Sequence, residues 1–97
     1  MPLRIERAPP ITPRGGKRPP PSSSPLVGLG TVVKALRHEA DLTQKQLGER
    51  AGLHNTYISH IERGATNPTW AALSRLCKGL GVPRWVLVKR VDELGRR

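Results

Sequence analysis

The sequence contains a single cysteine, Cys77, among its 97 residues. One cysteine cannot form a disulfide within the chain, and it cannot supply the several thiolates of a cysteine-rich zinc site. We expect Cys77 to be a small buried apolar side chain, which is the ordinary role of a free cysteine. The low cysteine content therefore favours an intracellular protein, and we expect no bound metal.

Long apolar runs are also absent from the sequence. No segment approaches the roughly 18–20 apolar residues that span a bilayer, and the N-terminus lacks the apolar core of a secretory signal. The prolines of the first 24 residues disfavour the amphipathic helix of an organelle transit peptide. We therefore expect a protein that is not exported by the secretory route and makes no contact with a membrane.

Acidic residues are few. The sequence contains 7 Asp and Glu but 17 Lys and Arg, which gives a formal net charge of +10. Residues 1–28 contribute +4 of this charge and the remaining residues contribute +6. A positive excess spread over the whole chain favours a polyanionic partner, such as nucleic acid or an acidic surface. The net charge alone does not distinguish between these two kinds of partner.

Proline and serine are concentrated in the first 24 residues, which also contain Gly15 and Gly16. Such a segment cannot bury a core, so the composition predicts a disordered, basic, Pro/Arg-rich tail over residues 1–24. Residues 25–97 then form one folded domain. The segment 17–21 (KRPPP) loosely resembles ligands of proline-binding modules, but a solvated linker is the preferred interpretation.

Five helices are predicted in residues 25–97 from apolar spacing and from capping signals. The clearest signal belongs to the second helix, where Thr43 and Gln46 have the spacing of a capping box. The first helix is predicted to begin at Ser24-Pro25 and to end at Asp41, and the second lies between Thr43 and Gly52. The remaining three are predicted over residues 54–63, from His54 to Arg63; 69–81, from Thr69 to Gly81; and 83–95, from Pro83 to Gly95.

The last two helices carry pronounced apolar stripes. On the fifth helix the apolar surface is too wide for one packing face, so Trp85, Val88 and Val91 are a candidate dimer face; the alternative is that they complete a small core. The apolar positions of the fourth helix are Trp70, Leu73, Leu76, Cys77 and Leu80.

The third predicted helix separates into two faces when its residues are placed at 100° intervals. Tyr57, Ile58 and Ile61 fall on the apolar face. The other face carries no acidic residue, as a surface lying against phosphates requires, and consists of Asn55, Thr56, Ser59, His60 and Arg63. Two short helices joined at Gly52, the second with such a face, are typical of a unit that reads the DNA major groove.

Several ordered motifs extend this pattern over roughly residues 29–94. The segments 43–48 (TQKQLG), 51–53 (AGL), 56–64 (TYISHIERG), 67–69 (NPT) and 80–82 (LGV) resemble the XRE family of phage-repressor-like and Cro-like helix-turn-helix domains. The resemblance implies an all-α, compact five-helix bundle whose second and third helices read double-stranded DNA. It also implies a homodimer on a two-fold symmetric operator, in the bacterial or phage-infected cytoplasm and at the nucleoid.

The resemblance assigns the groove-facing, base-reading positions to Asn55, Thr56, Ser59 and His60. Asn55 is the first candidate, because an asparagine side chain can bond an adenine edge through two hydrogen bonds. Phosphate contacts are expected from Thr43, Gln44, Tyr57, Arg63 and Asn67. In the tail, Arg14, Lys17 and Arg18 are expected to contact phosphates or the minor groove.

Other matched positions concern the stability of the fold. Arg37 and Glu62 match an ion pair between the first helix and the end of the reading helix. Three positions depart from the family pattern. His54 stands where Ser or Thr usually caps the reading helix, so that helix is expected to fray or to be imperfectly capped. Asp41 replaces a usual glycine, and Gly48 replaces a usual alanine, which weakens its helix unless two helices approach closely there.

Several functions remain open at this stage. No set of nucleophile and base, paired carboxylates or metal ligands emerges, so we expect neither an enzyme nor a cofactor. A transcriptional regulator, with repression favoured, is the first hypothesis. An antitoxin that also binds a protein toxin and a restriction-modification controller protein use the same kind of domain. A non-specific nucleic-acid packing protein fits the charge but fits the pattern from Asn55 to His60 poorly.

Overall fold

A computed structural model describes residues 25–96, and within that range every regular element is an α-helix. The expected five-helix, all-α bundle is confirmed. The predicted tail over residues 1–24, with Arg14, Lys17 and Arg18, lies outside the described residues, as does Arg97. The five helices are α1 (Pro25–Glu39), α2 (Gln44–Ala51), α3 (Asn55–Glu62), α4 (Trp70–Leu80) and α5 (Arg84–Leu94).

The predicted capping signals are confirmed at α2 and α4. Thr43 Oγ1 accepts a hydrogen bond from the Gln46 backbone N–H at 3.0 Å, and the Gln46 side-chain oxygen accepts one from the Thr43 N–H at 2.9 Å. Thr69 caps α4 with a single bond, in which its Oγ1 accepts from the backbone N–H of Ala72 at 3.0 Å. These bonds satisfy amide groups that the first turn of a helix leaves without a partner.

The turn after α1 places Asp41 in the left-handed region, with φ at 57°. Helix α1 ends at Glu39, two residues earlier than predicted, because the chain must turn before it reaches the cap of α2. Aspartate adopts this conformation at a lower cost than most residues. The expectation that Asp41 takes the place of a glycine at this turn is confirmed.

His54 caps α3 more effectively than its residue type suggests. Its Nδ1 atom accepts a hydrogen bond from the backbone N–H of Thr56 at 3.0 Å, so the imidazole takes the place of a serine or threonine hydroxyl. Of the two expected outcomes, a frayed helix start or an imperfect cap by the histidine, the structure shows a cap by the histidine side chain. A neutral imidazole whose proton resides on Nε2 leaves Nδ1 free to act as this acceptor.

This cap should be measurable as stability. We expect His54→Ala to lower the free energy of unfolding by about 1 kcal/mol, the usual cost of losing an N-cap side chain. The matched variant His54→Ser should retain most of that stability, because a hydroxyl accepts the same hydrogen bond. Urea unfolding followed by circular dichroism measures both variants; equal losses would show that the imidazole stabilises the fold by packing and not as a cap.

The core lies where all five helices meet. Its most buried side chains come from four of the helices and include Val33, Leu47, Ile58 and Leu76, each with no exposed surface. Cys77 is buried in the same cluster, as expected, and burial raises the pKa of its thiol. The central apolar positions of α4 are therefore confirmed as core.

Trp70 is an exception to the predicted core. Its side chain is 61% exposed, although it falls on the apolar stripe of α4. Trp70 is the first residue of α4, and the packed cluster begins only one turn later, at Leu73. The periodicity identifies the face of the helix correctly but does not show where along the helix the core begins.

Two glycines allow α1 and α2 to approach the ends of α3. A Cβ atom at Gly30 of α1 would lie 2.5 Å from the carbonyl oxygen of Glu62, and one at Gly48 of α2 would lie 2.5 Å from that of Leu53. Both distances are far below van der Waals contact, and both neighbours are backbone atoms. Gly48 therefore permits the close approach of two helices that was expected to offset the cost of a glycine within α2. Together, the contacts at Gly30 and Gly48 hold α3 near both of its ends.

Candidate nucleic-acid interface

Helix α3 presents one apolar and one polar face, as the sequence predicts. Ile58 and Ile61 are buried, and Tyr57 is half-buried against the core. On the outward side Asn55, Thr56, His60 and Arg63 are exposed and Ser59 is half-buried. The structure thus brings the four predicted base-reading residues onto one surface.

The polar atoms of this surface are available to a ligand. Within the described residues, the side chains of Asn55, Ser59 and His60 make no hydrogen bond and no ion pair. An α-helix with its side chains is about 10–12 Å in diameter, so α3 can enter a major groove about 12 Å wide.

The acidic residue of α3 is withdrawn from this surface. Only 3% of the Glu62 side chain is exposed, and its carboxylate receives two hydrogen bonds from Arg37, from Nε to Oε2 at 2.6 Å and from Nη2 to Oε1 at 3.1 Å. The Arg37 side chain is 9% exposed. The predicted partners therefore do meet, and the negative charge of Glu62 is compensated inside the fold.

Gln44 joins the same buried group. Its side-chain NH₂ donates to Glu62 Oε1 at 3.0 Å, while Arg37 Nη1 donates to the carbonyl oxygen of Leu42 at 2.8 Å. Gln44 and Glu62 are 18 residues apart, and no motif in the sequence indicates the bond between them. An amide NH₂ carries two protons, so Gln44 keeps one donor for a further acceptor, such as a phosphate oxygen.

The other predicted phosphate-binding residues flank α3. The hydroxyl of Thr43 is exposed but already accepts the capping bond. Arg63 is exposed at the end of α3, where its Nε makes a long contact of 3.4 Å to the Ser59 carbonyl oxygen. Asn67 is exposed in the following loop and has no hydrogen-bond partner among residues 25–96. These side chains thus lie at the start of α2 and beyond the end of α3.

The start of α1 lies against the same loop. A Cβ atom at Gly64, which has φ at 72°, would lie 3.0 Å from Val27 Cα. The first turn of α1 therefore lies beside Gly64, which follows Arg63 at the end of α3.

The candidate dimer face is only partly free. Trp85 is 64% exposed and Val88 is 54% exposed, whereas Val91 is half-buried and packs against the core. Completion of the core thus accounts for Val91. An unpartnered apolar surface remains at Trp85 and Val88 on α5.

Two classes of feature were not found in residues 25–96. No three His, Cys, Asp or Glu side chains converge as a metal site would require. None of the helices in this range has the length and apolar character needed to cross a bilayer.

Comparison with known proteins gives a consistent result. Residues 29–87 match the family described as helix-turn-helix domain. An uncharacterized HTH-type transcriptional regulator of Sinorhizobium fredii is 40% identical over 65 residues, which cover 67% of this chain and 84% of that protein. The immunity repressor protein of Bacillus phage phi105 is 41% identical over 54 residues, which cover 56% of this chain but only 38% of the repressor.

A solved structure shows the same likeness. The wild-type restriction-modification controller protein C.Esp1396I is 33% identical and superposes with a TM-score of 0.71. The match covers 75% of this chain and 96% of the controller protein. The similarity therefore extends over nearly the whole of that protein.

Proposed function

The chain belongs to the helix-turn-helix family of phage-repressor-like and Cro-like regulators, and from this premise we propose that it is a sequence-specific DNA-binding repressor of transcription. Helix α3 reads the major groove. The observation that carries this proposal is the outward face of α3, which has unpartnered polar side chains and no exposed carboxylate. A surface of this kind can both approach phosphates and discriminate base edges.

We assign the reading contacts by the chemistry of each side chain. Asn55 lies in the first turn of α3, where it can pair with an adenine through two hydrogen bonds. His60 can donate to a guanine acceptor. The shorter side chains of Thr56 and Ser59 are suited to a phosphate or to a thymine methyl group.

The flanking contacts fix the position of α3 on the duplex. In this proposal Gln44 uses its second amide proton on a phosphate oxygen, and Arg63 and Asn67 bind the backbone on the other side. Tyr57 packs its ring against the core and directs its hydroxyl outwards, and Thr43 offers its hydroxyl as a donor while it accepts the capping bond. Such contacts orient a protein on DNA without specifying its sequence.

Selection of bound sequences from random duplex DNA at roughly physiological salt tests the proposal. We expect enrichment of a two-fold symmetric motif, because the exposed Trp85 gives α5 an apolar surface through which two copies can pair. Binding without enrichment of any motif would contradict sequence reading and would favour a non-specific packing protein. An asymmetric motif would retain sequence reading and remove the homodimer.

A restriction-modification controller is the second candidate. It is favoured by the match to C.Esp1396I, which covers 96% of that protein. Both candidates use α3 in the same way, so the DNA selection does not separate them. The genes beside the coding sequence do, because a controller requires a neighbouring endonuclease and methyltransferase.

We also propose that the basic tail contributes to DNA affinity. Replacing Arg14, Lys17 and Arg18 with serine should lower the affinity for all DNA sequences and make the slope of log K against log salt shallower by up to about 2.7, at about 0.9 for each phosphate contact. The matched variant Lys89→Ser, on α5, should leave the slope unchanged. An unchanged slope in the triple variant would remove these three residues from the interface.

A further inference from the structure

An apolar groove lies between the N-terminal ends of α1 and α4 and the length of α5. Its volume is about 340 Å³, within the size range of small-ligand sites, roughly 300–1,000 Å³. The side chains that matter for its chemistry are those of Pro25, Leu29, Trp70, Arg84, Val88 and Val91. It lies apart from the outward face of α3.

Trp70 gives this groove an aromatic wall. The ring is 61% exposed, which is unusual for a tryptophan, and the guanidinium carbon of Arg84 lies 5.5 Å from the ring centroid. A cation over an aromatic face at this distance is attracted to it, so the Arg84 guanidinium packs against one face of the Trp70 ring. The exposed part of the ring remains available to an apolar ligand.

Proline runs are suited to such a surface, because they favour the extended polyproline conformation and dock in aromatic-lined grooves at a low entropic cost. The chain contains such a run at Pro19-Pro20-Pro21. The run is separated by only three serines from Pro25, which is both the first residue of α1 and part of the groove wall. Three residues span roughly 9 Å in an extended chain.

We infer that the groove binds the run Pro19-Pro20-Pro21 of the same chain. The tether of three serines is short, and Pro25 at its end lines the same groove as Trp70, so the run lies within reach of that ring. The short tether gives the prolines an effective concentration in the millimolar range, so that even a weak contact is populated. This inference does not depend on the proposed DNA binding.

The fluorescence of Trp70 provides the test. The chain has two tryptophans, so the full-length variant Trp85→Phe leaves Trp70 as its single tryptophan. In that background, replacing Pro19, Pro20 and Pro21 with serine should shift the emission to longer wavelength and raise the acrylamide quenching constant roughly twofold, because an occupied groove covers much of the ring. Circular dichroism establishes that the variants remain folded.

Two matched controls make the result specific. In the Trp70→Phe background, the same proline substitutions should leave the fluorescence of Trp85 unchanged. In the Trp85→Phe background, replacing the apolar tail residues Leu3, Ile5 and Ile11 with serine should leave the quenching of Trp70 unchanged.

Three outcomes would overturn the inference. Unchanged quenching of Trp70 in the triple proline variant would show that the run does not cover the groove. An equal increase in the Leu3, Ile5 and Ile11 variant would show a non-specific apolar contact of the tail. In the Trp85→Phe variant with an unaltered tail, Trp70 could be protected from acrylamide quenching at high protein concentration but not after dilution of the protein. That result would identify the occupant as a second copy of the chain.

Discussion

The variant Glu62→Ala should lose about 3–5 kcal/mol of unfolding free energy, because it leaves the guanidinium of Arg37 buried without its counter-charge. Both side chains are more than nine-tenths buried, and two hydrogen bonds join them. The substitution also removes the acceptor for Gln44. Since small domains have only about 5–15 kcal/mol of total stability, this loss is a large fraction of it.

A double-mutant cycle with Arg37→Ala separates the ion pair from its surroundings. If the two residues act together, the double variant loses clearly less than the sum of the two single losses in urea unfolding. Additive losses would contradict the coupling. If Glu62→Ala fails to fold, Glu62→Gln can replace it in the cycle, because it keeps an acceptor for Arg37 and removes only the charge.

The exposed ion pair between Arg90 and Glu39 is the matched control. Arg90 donates two hydrogen bonds to the Glu39 carboxylate, at 2.6 and 3.0 Å, which lowers the pKa of Glu39 from its ordinary value. The stability that this ion pair contributes is present at neutral pH and is lost as the pH falls through the lowered pKa of Glu39. Because solvent and salt screen the pair, Glu39→Ala should cost far less than Glu62→Ala.

The second large effect concerns base recognition. We expect Asn55→Ala to weaken binding to the selected operator by roughly 5- to 150-fold, the equivalent of losing a bidentate contact of about 1–3 kcal/mol. Binding to unrelated DNA should be unchanged, since Asn55 is assigned to base edges. Competition titrations at fixed salt, with operator and scrambled duplexes, measure both quantities.

The other asparagine provides the comparison. Asn67 is also exposed, but it is assigned to the DNA backbone, so Asn67→Ala should weaken operator and scrambled duplexes by the same factor. If Asn55→Ala also reduces both affinities equally, Asn55 binds a phosphate and base reading must be assigned to His60, Ser59 or Thr56.

The sequence predicts most of the fold because its signals are local. The capping box at Thr43 and Gln46, the cap at Thr69 and the left-handed glycines Gly52 and Gly81 each act within one turn of chain. Their hydrogen bonds are determined by neighbours in sequence, so the residue types and spacing are sufficient to identify them. The limits of α2 and α4 follow from them.

The features that sequence reasoning missed depend on contacts between distant parts of the chain. Gln44 meets Glu62 only because α1 and α2 pack against α3, and spacing along the chain carries no trace of that contact. The exposure of Trp70 depends likewise on where the other helices end. At His54 the sequence left two outcomes open, because histidine is an infrequent cap and the rotamer that places Nδ1 within hydrogen-bond distance of the Thr56 N–H is not visible in the sequence.

Because Cys77 is buried, the reaction of its thiol with a reagent reports when the core of the native chain opens. The thiolate is the form that reacts with thiol reagents, and this thiol is 2% exposed with a raised pKa. In the folded protein, modification of Cys77 must therefore wait for the core to separate, and its rate follows the population of open molecules. A second cysteine introduced at the surface could then carry a probe, while Cys77 stays unmodified for as long as the helices remain packed.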